Sequence, residues 1–306
     1  MGSHFIKITD YCLKHNPNST EAFRGSKPDW TVLMTYYGEL IEYISNAETL
    51  KKIVEPNLKR VIQIVENNLF RSVCQPKELE DEDYYEGAPV DKNWHKLQPV
   101  YEIMLNLVLH VDKPVLKTQV NSRFIRGLLA LFHSPETREL EYLKNIVHRL
   151  YAKLVSRRKM MRKCINNCLL SFLNEGYKFE GIVEILDILA SIISGFAVPL
   201  REEHHDFFEK IILPLHKVQT SHLFFQSLQR CVMLFISKNV SLAYKTIDAI
   251  LRFWPNCNKT KKATFWRSCS RSWMCVTPQA WSPRCTRSSR DSQRSSRPRM
   301  SRVPKS

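Results

Sequence analysis

Between residues 31 and 254 apolar side chains recur at three- and four-residue steps, in a pattern that breaks and restarts several times. Leu40, Ile41, Tyr43 and Ile44 form one stripe. Leu58, Val61, Ile62, Ile64, Val65 and Leu69 form the next, hinged near Pro56. A period of 3.6 puts each set on one face of a helix. The same reading predicts further helices at about 94–110, 121–134, 138–155, 158–174, 179–196, 202–217, 222–237 and 240–254. They pair into hairpins roughly 40 residues apart, the length of a two-helix HEAT or armadillo unit. A hairpin of that size cannot bury its apolar face alone, so the hairpins must stack. The expected fold is therefore all-α, a superhelical solenoid of about five HEAT-like helical hairpins. A compact helical bundle is the competing arrangement, disfavoured by the repetition of the period. Only 8 glycines in 306 residues leave little material for a β-rich or nucleotide-binding fold.

Three regions follow. Residues 1–30 mix Asn, Ser, Pro and charge without a sustained period, and are expected to be a loosely ordered lead-in. Residues 31–256 are the repeat domain. Residues 257–306 form a basic Ser/Arg-rich tail, expected to be disordered. The formal charge of +16 concentrates there: from Asn256 onward nine Arg and four Lys face a single acid, Asp291. The body is close to neutral, so charge gives no reason to expect it to bind nucleic acid. The body cysteines Cys12, Cys74, Cys164, Cys168 and Cys231 are odd in number, and Cys164 and Cys168 lie one helical turn apart in an apolar pattern. They read as reduced thiols. With no apolar run of membrane length and no signal-peptide pattern, a cytoplasmic or nuclear location is expected, without a membrane partner. One insertion, residues 77–92, carries Glu78, Glu80, Asp81, Glu82, Asp83 and Glu86, the composition of a solvated loop.

No metalloprotease, phosphate-loop, nucleophile-elbow or kinase signature occurs, so no enzyme activity, cofactor or metal is expected. His204 and His205 beside Glu202 and Glu203 suggest a metal site, but adjacent helical residues point about 100° apart and cannot share an ion alone. The stretch VHRLYAKLVSRRKMMRKC is more informative. His148, Arg149 and Tyr151 fall near the end of one predicted helix and Arg158 near the start of the next, so the turn gathers cations suited to a carboxylate or phosphate. Downstream, Ile185, Leu186, Ile188, Leu189, Ile192 and Ile193 form an apolar ridge. A basic cluster beside such a ridge is the layout of a groove for a short peptide with hydrophobic anchors and an acidic end. A solvated helix face beside an ordinary core stripe would carry the same residues.

The runs KNIVHRLYAKLVSRR, INNCLLSFL, EGIVEILDILASIISGFAVPLREEHHDF, IILPLHKV and AILRFWP resemble the B-prime family of regulatory subunits of protein phosphatase 2A. ENNLFRSV, DKNWHKLQPVYEIML and FIRGLLALFHSPETRELEYLK follow the same family in order, so the resemblance covers about residues 36–255. It implies a HEAT-like solenoid that joins a scaffold subunit and a catalytic subunit into a serine/threonine phosphatase and brings it substrates carrying a Leu-x-x-Ile-x-Glu motif. It further implies that His148, Arg149, Tyr151 and Arg158 make polar contacts to that motif and that Ile188 and Ile192 form its apolar pocket. Arg201 and His204 would flank its acidic or phosphorylated end, Arg201 standing where the family usually has Lys. After FWP the family continues with further repeats, whereas this chain reads FWRSCSRSWMCV. With suitable codons that segment, read one frame over, encodes Leu-Glu-Glu-Leu-Gln-Gln-Glu-Leu-Asp-Val, like the family's next helix. The expectation is thus an out-of-frame tail, with catalytic-subunit contact weakened. The competing readings are a helical adaptor that binds nucleic acid through its basic tail, and a truncated product without function.

Overall fold

The computed structural model describes residues 2–15, 29–71, 73, 94–175 and 180–253, with residues 262, 263, 266–268 and 270 beyond them. Among these there are helices and turns and no strand. The helices are α1 (Gly2–Lys14), α2 (Trp30–Ser45), α3 (Ala47–Thr49), α4 (Leu58–Leu69), α5 (Trp94–His110), α6 (Lys113–Gln119), α7 (Ser122–Ala130), α8 (Thr137–Lys153), α9 (Arg158–Glu175), α10 (Ile182–Ser194), α11 (Glu202–Phe207), α12 (Phe225–Lys238) and α13 (Leu242–Arg252). Short polar side chains start several of them. Asp29, Asn46 and Asn121 accept from the backbone N–H of Thr31, Glu48 and Thr49, and Phe124, satisfying donors that a first helical turn leaves open.

Neighbour relations define two layers. In one, α2 lies on α5, α5 on α8, α8 on α10 and α10 on α12; in the other, α7 lies on α9 and α9 on the helical turn after α11. Helices α5, α8, α10 and α12 begin at Trp94, Thr137, Ile182 and Phe225, a repeat of roughly 44 residues. A continuous apolar core threads between the layers from Phe5 to Ala243. This is the expected all-α solenoid. Gly181 sets one junction: its N–H donates to the Phe132 carbonyl at 2.9 Å, and a Cβ there would come within 2.5 Å of that oxygen. Only a residue without a side chain lets the start of α10 come so near.

Two lysines brace successive helices of the first layer. Lys153, the last residue of α8, donates through Nζ to the Val108 and Leu109 carbonyls near the end of α5, at 2.7 and 3.1 Å. Lys238, the last residue of α12, does the same to Ser194 and Phe196 at the end of α10, at 2.9 and 2.8 Å. Each ammonium satisfies carbonyls that a helix C-terminus leaves open and opposes the negative end of its dipole. The intermediate step has no such lysine brace among the described residues, because α10 ends in Ser194.

Four expectations are corrected. Residues 2–14 form α1, with Phe5, Ile8 and Cys12 buried against α2 and α4. That stripe holds only three apolar residues and includes the buried Thr9, too short for a periodicity reading. Lys113–Gln119 is helix α6, and residues 202–217 are not one helix. There α11 opens into a wide turn at Phe208–Ile212, where Leu213 N–H donates five residues back to Phe208, before Pro214 starts a tighter turn. The wide turn Leu50–Val54 likewise precedes Pro56. Proline restricts the residue before it and removes a donor, which accounts for both interruptions. In the tail, Lys262, Ala263, Trp266–Ser268 and Ser270 are helical and Ser268 is buried, where a disordered chain was expected. No Gly or Pro interrupts residues 256–276, so nothing local forbids that turn. The acidic insertion and the rest of the tail lie outside the described residues.

Candidate functional site

Where the lysine brace is absent, the layer opens. The ends of α8 and α10, the start of α9 and the start of α11 enclose a cleft of about 400 Å³. Its walls include His148, Tyr151 and Ala152 from α8, Arg158 and Arg162 from α9, Ser191 and Ile192 from α10, Phe196 and Ala197 from the following loop, and Arg201, Glu203 and His204 around the start of α11.

Six of the eight residues singled out from the sequence meet here: His148, Tyr151, Arg158, Ile192, Arg201 and His204. Arg149 and Ile188 do not line the cleft. His148 and Tyr151 are three residues apart and share a helix face, whereas Arg149 is turned about 100° away into solvent. Ile188 lies one turn inward of Ile192 and is covered by the core at 1% exposure. Arg162, Phe196 and Glu203 complete the walls and were missed as site residues. Arg162 follows Arg158 by one helical turn in the same basic stretch, a spacing that would have found it. Phe196 carried no sequence signal that set it apart from a loop residue, and Glu203 stood out only in a metal-site pattern that helix geometry disfavours.

Arg158 substitutes for the missing brace. Its Nε donates to the Tyr151 carbonyl at 3.0 Å and its Nη2 to that of Ala152 at 3.2 Å, while the guanidinium lies over the Tyr151 ring, 5.1 Å from the centroid. Taking up the end of α8 therefore fixes the cation at the cleft wall. Arg162 donates through Nη1 to the Tyr151 hydroxyl at 3.2 Å and through Nη2 to Glu203 Oε1 at 3.3 Å. The same carboxylate oxygen lies 3.4 Å from His204 Nε2. His204 stacks on Phe196, centroids 3.8 Å apart and planes 3° from parallel, and its Nδ1 is buried without a hydrogen-bond partner among the described residues. Burial holds the His204 pKa below its usual value; Glu203 opposes that, and Arg162, Arg201 and His205 add to it. The ring is accordingly neutral at pH 7.

Three guanidinium groups and two imidazoles thus face one acid, beside Ile192 and Phe196. This arrangement suits a ligand with an apolar anchor and a carboxylate or phosphate end. No cluster of three or more His, Cys, Asp or Glu side chains among the described residues has the spacing of a metal site. The fold and cleft define a helical-repeat protein with a cation-rimmed groove. Comparison with known proteins supplies the family. The Protein phosphatase 2A regulatory B subunit (B56 family) matches residues 33–286, so the chain belongs to that family. The match extends some way past residue 255, where the resemblance read from the sequence ended.

Curated relatives agree. The serine/threonine-protein phosphatase 2A regulatory subunit pptr-1 of Caenorhabditis elegans is 40% identical over 230 residues, 74% of this chain and 42% of its own length. The human 56 kDa regulatory subunit alpha isoform is 36% identical over 230 residues, 74% and 47% respectively. The B' gamma isoform of the Arabidopsis thaliana 59 kDa regulatory subunit is 37% identical over 234 residues, 74% and 44%. The chain thus spans less than half the length of these relatives. They are regulatory subunits, not catalytic ones. Among solved structures, a designed armadillo repeat protein in complex with the peptide (KR)4 aligns with a TM-score of 0.45 at 12% identity, over 87% of this chain and 99% of that one.

Proposed function

We propose that this chain is a substrate-targeting regulatory subunit of protein phosphatase 2A, acting in signal transduction in the cytoplasm or nucleus, and that its α8–α10 cleft takes short acidic peptides of the Leu-x-x-Ile-x-Glu type. The observation that carries the reading is the convergence of His148, Tyr151, Arg158, Arg201 and His204 on one cleft with Ile192 in its wall. Ile192 and Phe196 offer apolar surface to the peptide's Leu and Ile, and the cations offer donors to its Glu. A scaffold subunit and a catalytic subunit are the partners that family membership points to, with the groove delivering the substrate.

Fluorescence polarisation with a labelled Leu-x-x-Ile-x-Glu peptide tests this. Arg201→Ala is expected to weaken binding roughly ten-fold, the effect of losing one charge-assisted contact at a partly exposed site. Replacing the peptide's Leu and Ile by Ala is expected to abolish binding. Absence of binding by the unmutated protein would end the reading. A pull-down with purified scaffold and catalytic subunits addresses assembly: recovery of neither would remove the phosphatase partnership from the proposal.

A further inference from the structure

We infer that Glu203 is a built-in competitor for the acidic end of the ligand, a counter-carboxylate that sets how strongly the cleft selects for negative charge. The inference rests on the peptide-groove reading above and goes beyond it, because it concerns an acid of the protein at a site whose ligand is itself acidic.

Among the described residues, Glu203 is the one carboxylate in a wall whose other charged groups are cations. Its Oε1 accepts from Arg162 Nη2 of α9 at 3.3 Å and lies 3.4 Å from His204 Nε2. Both neighbours are held in place by other groups. Arg162 keeps its Nη1 contact to the Tyr151 hydroxyl, and His204 is fixed by its stack on Phe196, whose carbonyl Lys238 holds from behind. A carboxylate or phosphate oxygen arriving from outside meets an Arg162 donor already taken by an internal carboxylate. Both contacts are long beside the roughly 2.7–2.9 Å typical of a charge-assisted bond, and the Glu203 side chain is 44% exposed, so leaving costs it little. The guest inherits the Arg162 donor, and Glu203 returns to water. A neutral ligand end draws little on that donor, so the competition falls on charged ends and lowers the cleft's preference for them over neutral ones.

The experiment compares two labelled peptides that differ only in a terminal Glu or Gln, on the unmutated protein, Glu203→Gln and Glu202→Gln. Glu202 is the adjacent exposed acid and does not line the cleft, so its variant removes the same charge without vacating the donors. On Glu203→Gln the Glu-ended peptide is expected to bind about five-fold more tightly, with the Gln-ended peptide changed less than two-fold, since only the charged end gains a vacated ion-pair site. Glu202→Gln is expected to change both by less than two-fold. Equal tightening by both variants would reduce the effect to overall charge and overturn the inference. Unchanged or weaker binding of the Glu-ended peptide to Glu203→Gln, with its melting temperature preserved, would also overturn it. Failure of the unmutated protein to bind either peptide, with Glu203→Gln failing too, would overturn the groove reading itself; binding by Glu203→Gln alone would support the competitor.

Discussion

At the scale of single residues, the chain uses a fully buried acid to join helices far apart in sequence. Glu139, at the start of α8, is 0% exposed and receives a bidentate pair from Arg71, at 2.8 and 2.7 Å, together with the Tyr101 hydroxyl of α5. Removing one partner of a buried pair leaves the other without compensation, which costs more than the pair contributes. Glu139→Ala is therefore expected to destabilise the fold by about 3 kcal/mol in urea unfolding, and Glu139→Gln by less. The cysteines make a second prediction. Burial pushes Cys12 and Cys231 up to about 12 and Cys168 to about 11; Cys164 is also raised by burial, but Arg126 and Lys163 draw it back. Site-resolved alkylation of the native protein at pH 8 is expected to label Cys164 before the other three. In the unfolded chain these thiols lose their protons near their ordinary value of 9.0, whereas the folded chain retains them. Stability is then complete below pH 9 and falls as pH rises from 9 toward 12, and a stability maximum above pH 10 would contradict the burial argument.

At the scale of elements, the lysine braces and the cleft are two outcomes of one position. The last residue of α8 and of α12 is Lys; that of α10 is Ser194, and the groove lies there. Ser194→Lys is expected to carry an ammonium toward the end of α8, where it competes with Arg158 for the Tyr151 and Ala152 carbonyls. The expected outcome is a loss of peptide binding of at least about ten-fold in polarisation, with a melting temperature unchanged or higher, because an open helix end gains a cation. Much of this scale was legible in the sequence. The stripe in residues 94–110 yields α5 with the bounds expected, and the helices that became α8, α9 and α10 were placed within a few residues, because long amphipathic runs are dominated by burial. What escaped reading was decided by other forces. Helix α1 depends on three side chains docking on α2 and α4, a tertiary effect invisible in its own composition. The wide turns before Pro56 and Pro214 look helical in period because their residues still face the core. At the site, the cations on α8 and α9 were legible from helical spacing, whereas the Phe196–His204 stack depends on how a loop folds back, which no periodicity encodes.

For the whole molecule, the described residues on either side of the crossing from α4 to α5 are built into the stack. The chain leaves α4 with Phe70 set against α7, where a Cβ on Gly127 would fall 2.7 Å from its ring, and with Arg71 clamped to Glu139. It re-enters at Trp94, whose ring lies 5.9 Å from that of Tyr101 and 5.7 Å from that of Tyr142, under the Arg138 guanidinium at 5.3 Å. Both banks of the crossing are thus moored to the body of the stack, and both reach α8. The energetic cost of closing such a crossing rises only with the logarithm of its length, roughly 0.6 kcal/mol for each doubling. Replacing residues 76–92 by an equally long Gly/Ser segment is expected to move the melting temperature by no more than about 2 °C, and a shift well beyond that would show that the segment itself supports the stack. Two moored banks mean that α8 acts as a common anchor: the rows of helices on either side keep their alignment through it, whatever tension the chain between them transmits.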